Sequence, residues 1–105
     1  MSISKRFRDI ASEVARFRTT LNGCDAEAEQ GLRTVKKANR TLQEWVEAVG
    51  EVPQVKLEFK LTPVLLKAHN EIDRARLLFE ESELEEQATT AWDLQQKIYR
   101  LLNDL

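Results

Sequence analysis

The sequence predicts an all-α protein, an antiparallel bundle of four helices, and two observations carry that prediction. Apolar residues recur at alternating steps of three and four from Ile3 to Val49, and 105 residues hold only three Gly and two Pro, so long elements with few tight turns are expected. One seam position reads Phe7, Val14, Leu21, Ala28, Val35, Leu42, Val49; the other reads Ile3, Ile10, Phe17, Cys24, Gly31, Ala38, Trp45. A repeat of this kind lines one stripe of an α-helix, and that stripe must be buried against other helices.

The first helix is expected over 3–21, ending at Asn22-Gly23, a pair that readily takes the left-handed backbone of a helix end. Asp25 is then placed to cap a second helix over 25–49, which Gly50 and Pro53 terminate. Residues 50–62 read as an extended linker. Within it Val55, Leu57, Phe59 and Leu61 alternate with polar residues, as in a segment pressed onto the bundle. Thr62-Pro63 supplies an N-cap followed by Pro at the first helical position, starting a third helix over 63–81 with Leu65, Ala68, Ile72, Ala75 and Phe79 on its stripe. Ser82 with Glu85 resembles a capping box, and a new stripe, Leu84, Ala88, Ala91, Leu94, Ile98, Leu101, Leu105, defines a fourth helix over 83–104. The whole chain, 1–105, reads as a single helical domain.

The alternative is a long two-helix coiled-coil hairpin, 3–49 against 63–104, roughly 65 Å in length at helical rise and able to pair as a homodimer. Zipping it from its turn sets the weak stretch Cys24–Gly31 against the acidic stretch Glu80–Glu86, leaving a poorly packed middle. A bundle puts both stretches at turns and is preferred. The unbroken heptad phase across Asn22-Gly23 counts for the hairpin. In either fold Trp45 is expected in the core, Trp92 one residue off its stripe, and Cys24 buried as a small side chain that has no disulfide partner in the chain.

Charge is asymmetric although the net charge is only -2: residues 1–40 hold nine Lys or Arg against five Asp or Glu, and residues 41–105 hold seven against thirteen. Lys5, Arg6, Arg8, Arg16 and Arg18 make the first helix basic; Glu80, Glu81, Glu83, Glu85 and Glu86 make an acidic patch. Arg33, Lys36, Lys37 and Arg40 form a stripe opposite the buried seam, so core packing does not account for them, and no acid interrupts the run from Gln30 to Gln43. These four are the expected partner-binding residues.

The chemistry of the chain is sparse. One His and one Cys cannot build a zinc site, carboxylates spread along a helix do not converge on a cation, and neither a phosphate-binding glycine loop nor a nucleophile beside a His is present. No catalytic residue, metal or cofactor is therefore expected, and the chain reads as a non-enzyme. His69 reads as a boundary residue hydrogen-bonded to Asp73, one turn on. Nucleic acid is not expected, since the basic stripe lacks interleaved aromatics and the chain is acidic overall. No apolar run is long enough for a membrane span or a secretory signal core, which points to a cytoplasmic protein.

Trp45, the run Leu65-Leu66-Lys67-Ala68-His69 and Trp92 followed by Leu94 resemble the Trp and Leu-Leu-x-x-His pattern of spectrin-type repeats, although the His69–Trp92 spacing is shorter than that fold uses. In layout the chain is also similar to the four-helix N-terminal domains of cell-death effectors and helical-domain immune receptors. The function expected from the residues is protein–protein contact, as an adaptor, a regulatory module or a self-assembling bundle. The alternative is a signalling bundle whose basic amphipathic first helix engages anionic membrane through Lys5, Arg6, Arg8, Arg16 and Arg18.

Overall fold

A computed structural model describes residues 2–105 as four α-helices joined by short turns. Helix α1 (Ile3–Leu21) starts where the Ser2 hydroxyl accepts the Lys5 backbone N–H at 3.1 Å. It ends in a type II turn: Asn22 has φ -64° and ψ 132°, Gly23 has φ 80°, and the Cys24 N–H donates to the Leu21 carbonyl at 3.1 Å. The left-handed Gly23 is the feature that stops the heptad helix, so the chain turns back and the long hairpin does not form.

A single 3-10 turn (Ala26–Ala28) leads into α2 (Glu29–Val46), and a second (Ala48–Glu51) follows it. Asp25 stands at the entry to the first turn, but its side chain makes no capping hydrogen bond there. The α2 end is capped from outside. Arg8 Nε donates to the Val46 carbonyl at 3.2 Å, a cation at the negative end of the helix dipole, and its guanidinium lies so close to Gly50 that a Cβ there would sit 2.5 Å from Nη2.

The extended linker expected over 50–62 is absent. Helix α3 (Gln54–Glu81) runs through it, with Pro63 inside the helix rather than at its start. The apolar residues explain why: Leu57, Leu61, Leu65, Ala68, Ile72, Ala75 and Phe79 follow steps of four and three and are all buried, whereas Val55 and Phe59, expected against the bundle, face solvent. Pro63 has no N–H for the Phe59 carbonyl, but both residues lie on the exposed face, where solvent can take that bond.

The Ser82–Glu85 capping box is likewise replaced by a C-terminal motif of α3. Leu84 N–H donates to the Phe79 carbonyl at 2.8 Å and Glu83 N–H to the Glu80 carbonyl at 3.1 Å, with Glu83 left-handed at φ 60°. That is a Schellman arrangement with Glu where Gly is usual, and Leu84 packs on the core as its apolar contact. Helix α4 (Glu85–Asp104) then returns along the bundle.

Helix α2 packs on α1 and α3, and α4 packs on α3 and α1, giving an up-down-up-down antiparallel bundle of 43 × 22 × 20 Å. The long axis is that of α3 alone, well short of a 65 Å hairpin. Phe17 of α1 and Phe79 of α3 meet edge to face inside the core, near the end of the bundle that carries the α1–α2 and α3–α4 turns, ring centroids 5.9 Å apart. Phe79 occupies the notch left by Gly31: a Cβ on Gly31 would lie 2.3 Å from its ring.

Of the fourteen seam positions in the first half, Cys24 alone is exposed, because it falls in the turn beyond α1. Trp45 and Ile3 are half-buried at the rim. Trp45 is thus not the core residue its seam position suggests. It sits in the last turn of α2, where a large side chain covers the bundle without being enclosed.

Candidate functional site

Helix α1 and helix α2 lie side by side, tied by Gln43 Nε2 donating to the Ala11 carbonyl at 3.4 Å. Arg18 comes from the last turns of α1, where the chain must still bury Phe17 and Leu21; Lys36 and Arg40 come from the middle of α2, where Val35, Ala38 and Leu42 are buried. The three cations line one surface groove together with Asn39, Gln43 and Glu44. Arg33 and Lys37 stand on the same exposed side of α2, continuing the stripe.

Partners inside the fold separate these cations. Arg33 pairs with Glu29 at 2.7 Å, a contact one turn apart and largely in solvent. No carboxylate among the described residues lies within ion-pairing distance of Arg18, Lys36, Lys37 or Arg40. Glu44 reaches the groove without forming a pair. Four like charges held on one face repel one another, which favours any anionic segment that can lie along it.

The basic residues of α1 do not act as one surface. Lys5 pairs with Asp9, Arg6 bridges to Asp104 of α4 at 2.7 Å, and Arg8 caps α2. Arg16 borders a different groove, between α1 and α4, with Phe17, Leu21, Glu86, Thr90 and Lys97; there Lys97 and Glu13 form an ion pair that ties the two helices. Only Arg18 joins the α2 stripe. Sequence spacing could not place it there, since the α1–α2 pairing decides which α1 residue meets Lys36.

The acidic residues collect at the end of the bundle that carries the α1–α2 and α3–α4 turns. Glu80 accepts from Arg76 at 2.8 Å, and Glu83 and Glu85 line a shallow cleft with Arg76, Thr89 and Trp92. Glu81 faces Glu27 and Gln30 across the α3–α2 seam, and Glu86 borders the α1–α4 groove.

Arg76 anchors a network that was not visible in the sequence. Its Nη2 donates to Asp73 Oδ1 at 2.8 Å and its Nε to Gln95 Oε1 at 2.9 Å, while Gln95 Nε2 donates to the same Asp73 oxygen at 2.9 Å. The Arg76 hydrogen bond, reinforced by Gln95, holds the Asp73 carboxyl below the ordinary carboxylate range against the opposing effect of burial. Trp92 lies beside this cluster, half exposed, with the Arg76 guanidinium 6.0 Å from its ring centroid. Asp73 is therefore the partner of Arg76 and Gln95, not of His69. The network satisfies the buried Gln95 and fixes α4 to α3, a structural role.

Among the described residues no three His, Cys, Asp or Glu side chains form a group that could hold a metal ion. Among the same residues no helix is long and apolar enough to cross a membrane. The chain is an all-α antiparallel four-helix bundle, and one surface that its packing leaves unexplained is cationic. Comparison with protein-family models, with curated proteins and with solved structures found no match.

Proposed function

We propose that this protein is a non-enzymatic interaction module, and that the α1–α2 groove holds an acidic segment of a partner protein. The observation that carries the reading is the convergence of Arg18, Lys36 and Arg40 on one groove, where no carboxylate among the described residues pairs with them. Lys37 and Arg33 extend the contact along α2. An acidic segment from another copy, the Glu80–Glu86 turn, has the same chemistry and would make the module self-assembling.

Engagement of anionic membrane by a released α1 is the less favourable reading. Phe7, Ile10, Val14 and Phe17 are buried in the core, so a released α1 gives up that packing and leaves the facing apolar side chains of α2 and α4 uncovered in water.

The test is titration of a labelled acidic peptide, followed by fluorescence anisotropy at low and physiological salt, with sedimentation velocity to detect self-association. Charge reversal of Lys36 and Lys37 to Glu should leave helicity and thermal stability nearly unchanged but abolish binding, and salt should mimic the loss. Binding that survives the reversal at low salt would return this stripe to an ordinary solvated surface.

A further inference from the structure

The outer face of α3 carries a second surface that neither the core nor the basic groove uses. At 3.6 residues per turn Val55, Phe59, Pro63, Leu66 and Leu77 fall within about 80° of one another. All five are exposed, Val55 to 83% and Phe59 to 80%. Beside them Lys56, Lys60, Lys67 and Arg74 fall within about 40°, also exposed, and none has an ion-pair partner among the described residues. Three of the apolar residues are each followed directly by a lysine: Val55-Lys56, Phe59-Lys60 and Leu66-Lys67.

The lysine row lies on the flank of α3 turned toward α2, the flank from which Glu71 reaches Thr41 at 2.8 Å. In the antiparallel register set by that contact, the turns carrying Lys37 and Arg74 come level. The apolar ridge and the lysine row therefore form one face of α3, bordered by Lys37 of α2 and separate from the groove that Lys36 and Arg40 line with Arg18. Glu58 and His69 stand on the opposite flank.

The geometry points to an anionic lipid surface as the ligand of this face, met by the first half of α3, 55–67, since further along Asp73 and the exposed Glu81 fall in the same sector as the ridge and keep that end of the helix off an anionic surface. Val55 and Phe59 would enter the headgroup boundary while the lysines beside them meet lipid phosphates and carboxylates. Charge argues against a second copy. Antiparallel pairing on this ridge would set lysine row against lysine row, and parallel pairing would bring two Glu80–Glu86 turns together. The ridge is convex, with its two most exposed side chains near the start of the helix, so a flat, deformable surface can meet it without a preformed groove. This contact uses residues other than those of the acidic-partner groove and stands or falls independently of it.

The experiment is co-sedimentation of the full chain with phosphatidylcholine vesicles, with and without phosphatidylserine, at low and physiological salt. The protein should pellet with the phosphatidylserine vesicles only, and less at higher salt. Each cation near such a surface strengthens binding about fivefold, so K56Q/K60Q/K67Q should weaken it on the order of a hundredfold. V55S/F59S should weaken it at least about tenfold, and both variants should keep the wild-type circular dichroism and melting temperature because every replaced residue is exposed. Absence of pelleting at low salt overturns the inference. Pelleting that V55S/F59S retains in full also overturns it, by locating the contact elsewhere. Failure to bind vesicles combined with V55S/F59S-sensitive binding of an acidic amphipathic peptide would replace lipid by a protein partner.

Discussion

Replacing Gly31 by Ala separates tertiary packing from helix propensity more sharply than any other single change in this chain. On an isolated helix the substitution is favourable by about 1 kcal/mol, since Ala is the best helix former and Gly among the worst. In the bundle the added Cβ would lie 2.3, 2.6 and 2.8 Å from three atoms of the Phe79 ring. That ring is fully buried and braced edge to face by Phe17, so it cannot swing into solvent to make room. Overpacking of this kind costs about 1–3 kcal/mol and occasionally more. Set against the gain in propensity, the steric effect leaves Gly31→Ala destabilising by up to about 2 kcal/mol, with the melting temperature falling by roughly 4–8 °C for each kcal/mol lost. Chemical denaturation of four proteins, wild type, G31A, F79L and the double variant, measures the effect and its origin together. In the F79L background the clash is relieved, so the added methyl group should become neutral or stabilising, with a coupling of at least about 1 kcal/mol between the two sites. A stabilised G31A single variant, or additive effects in the cycle, would refute the notch.

Three further outcomes follow from the backbone and the Asp73 cluster. Pro63→Ala restores an N–H to a helix interior and should stabilise by roughly 1–3 kcal/mol in urea denaturation; an extended linker ending at Thr62 would instead leave stability unchanged or lowered. Glu83→Gly removes a non-glycine residue from the left-handed region and should add about 1 kcal/mol, seen as a higher melting temperature. Asp73 has a depressed pKa in the fold, so its contribution is complete above the unfolded value near pH 4 and is lost as pH falls through its folded value. Unfolding measured from pH 7 down to pH 2 should therefore show a shallower acid loss for Asp73→Asn than for wild type, and equal acid losses would remove Asp73 from the pair.

The all-α class and much of the core were legible in the sequence, because burial against a common centre imposes the same heptad spacing on both helices of the first half. All seven residues of one seam, from Phe7 to Val49, are buried, as are Leu65, Ala68, Ile72, Ala75 and Phe79 on the third helix. The Asn22-Gly23 break was also legible, since Gly23 takes the left-handed backbone that its lack of a Cβ makes inexpensive. The segment 54–62 misleads because Leu57 and Leu61 fit alternation and a four-residue step equally well, and Pro63 outranks both patterns only when read locally. Helix α3 wins there because the core takes Leu57 and Leu61 while Val55 and Phe59 point outward.

The α2 stripe of Arg33, Lys36, Lys37 and Arg40 was visible as a row of unexplained cations; that Arg18 joins it, and that Arg6 and Arg8 are occupied by Asp104 and by the end of α2, was not. Spacing along a chain determines which residues share a face of one helix. Which faces meet is settled by how the four helices pack, and that packing alone placed Phe79 in the Gly31 notch, closed the Asp73–Arg76–Gln95 network across α3 and α4, and left the Val55–Phe59 ridge without a cover.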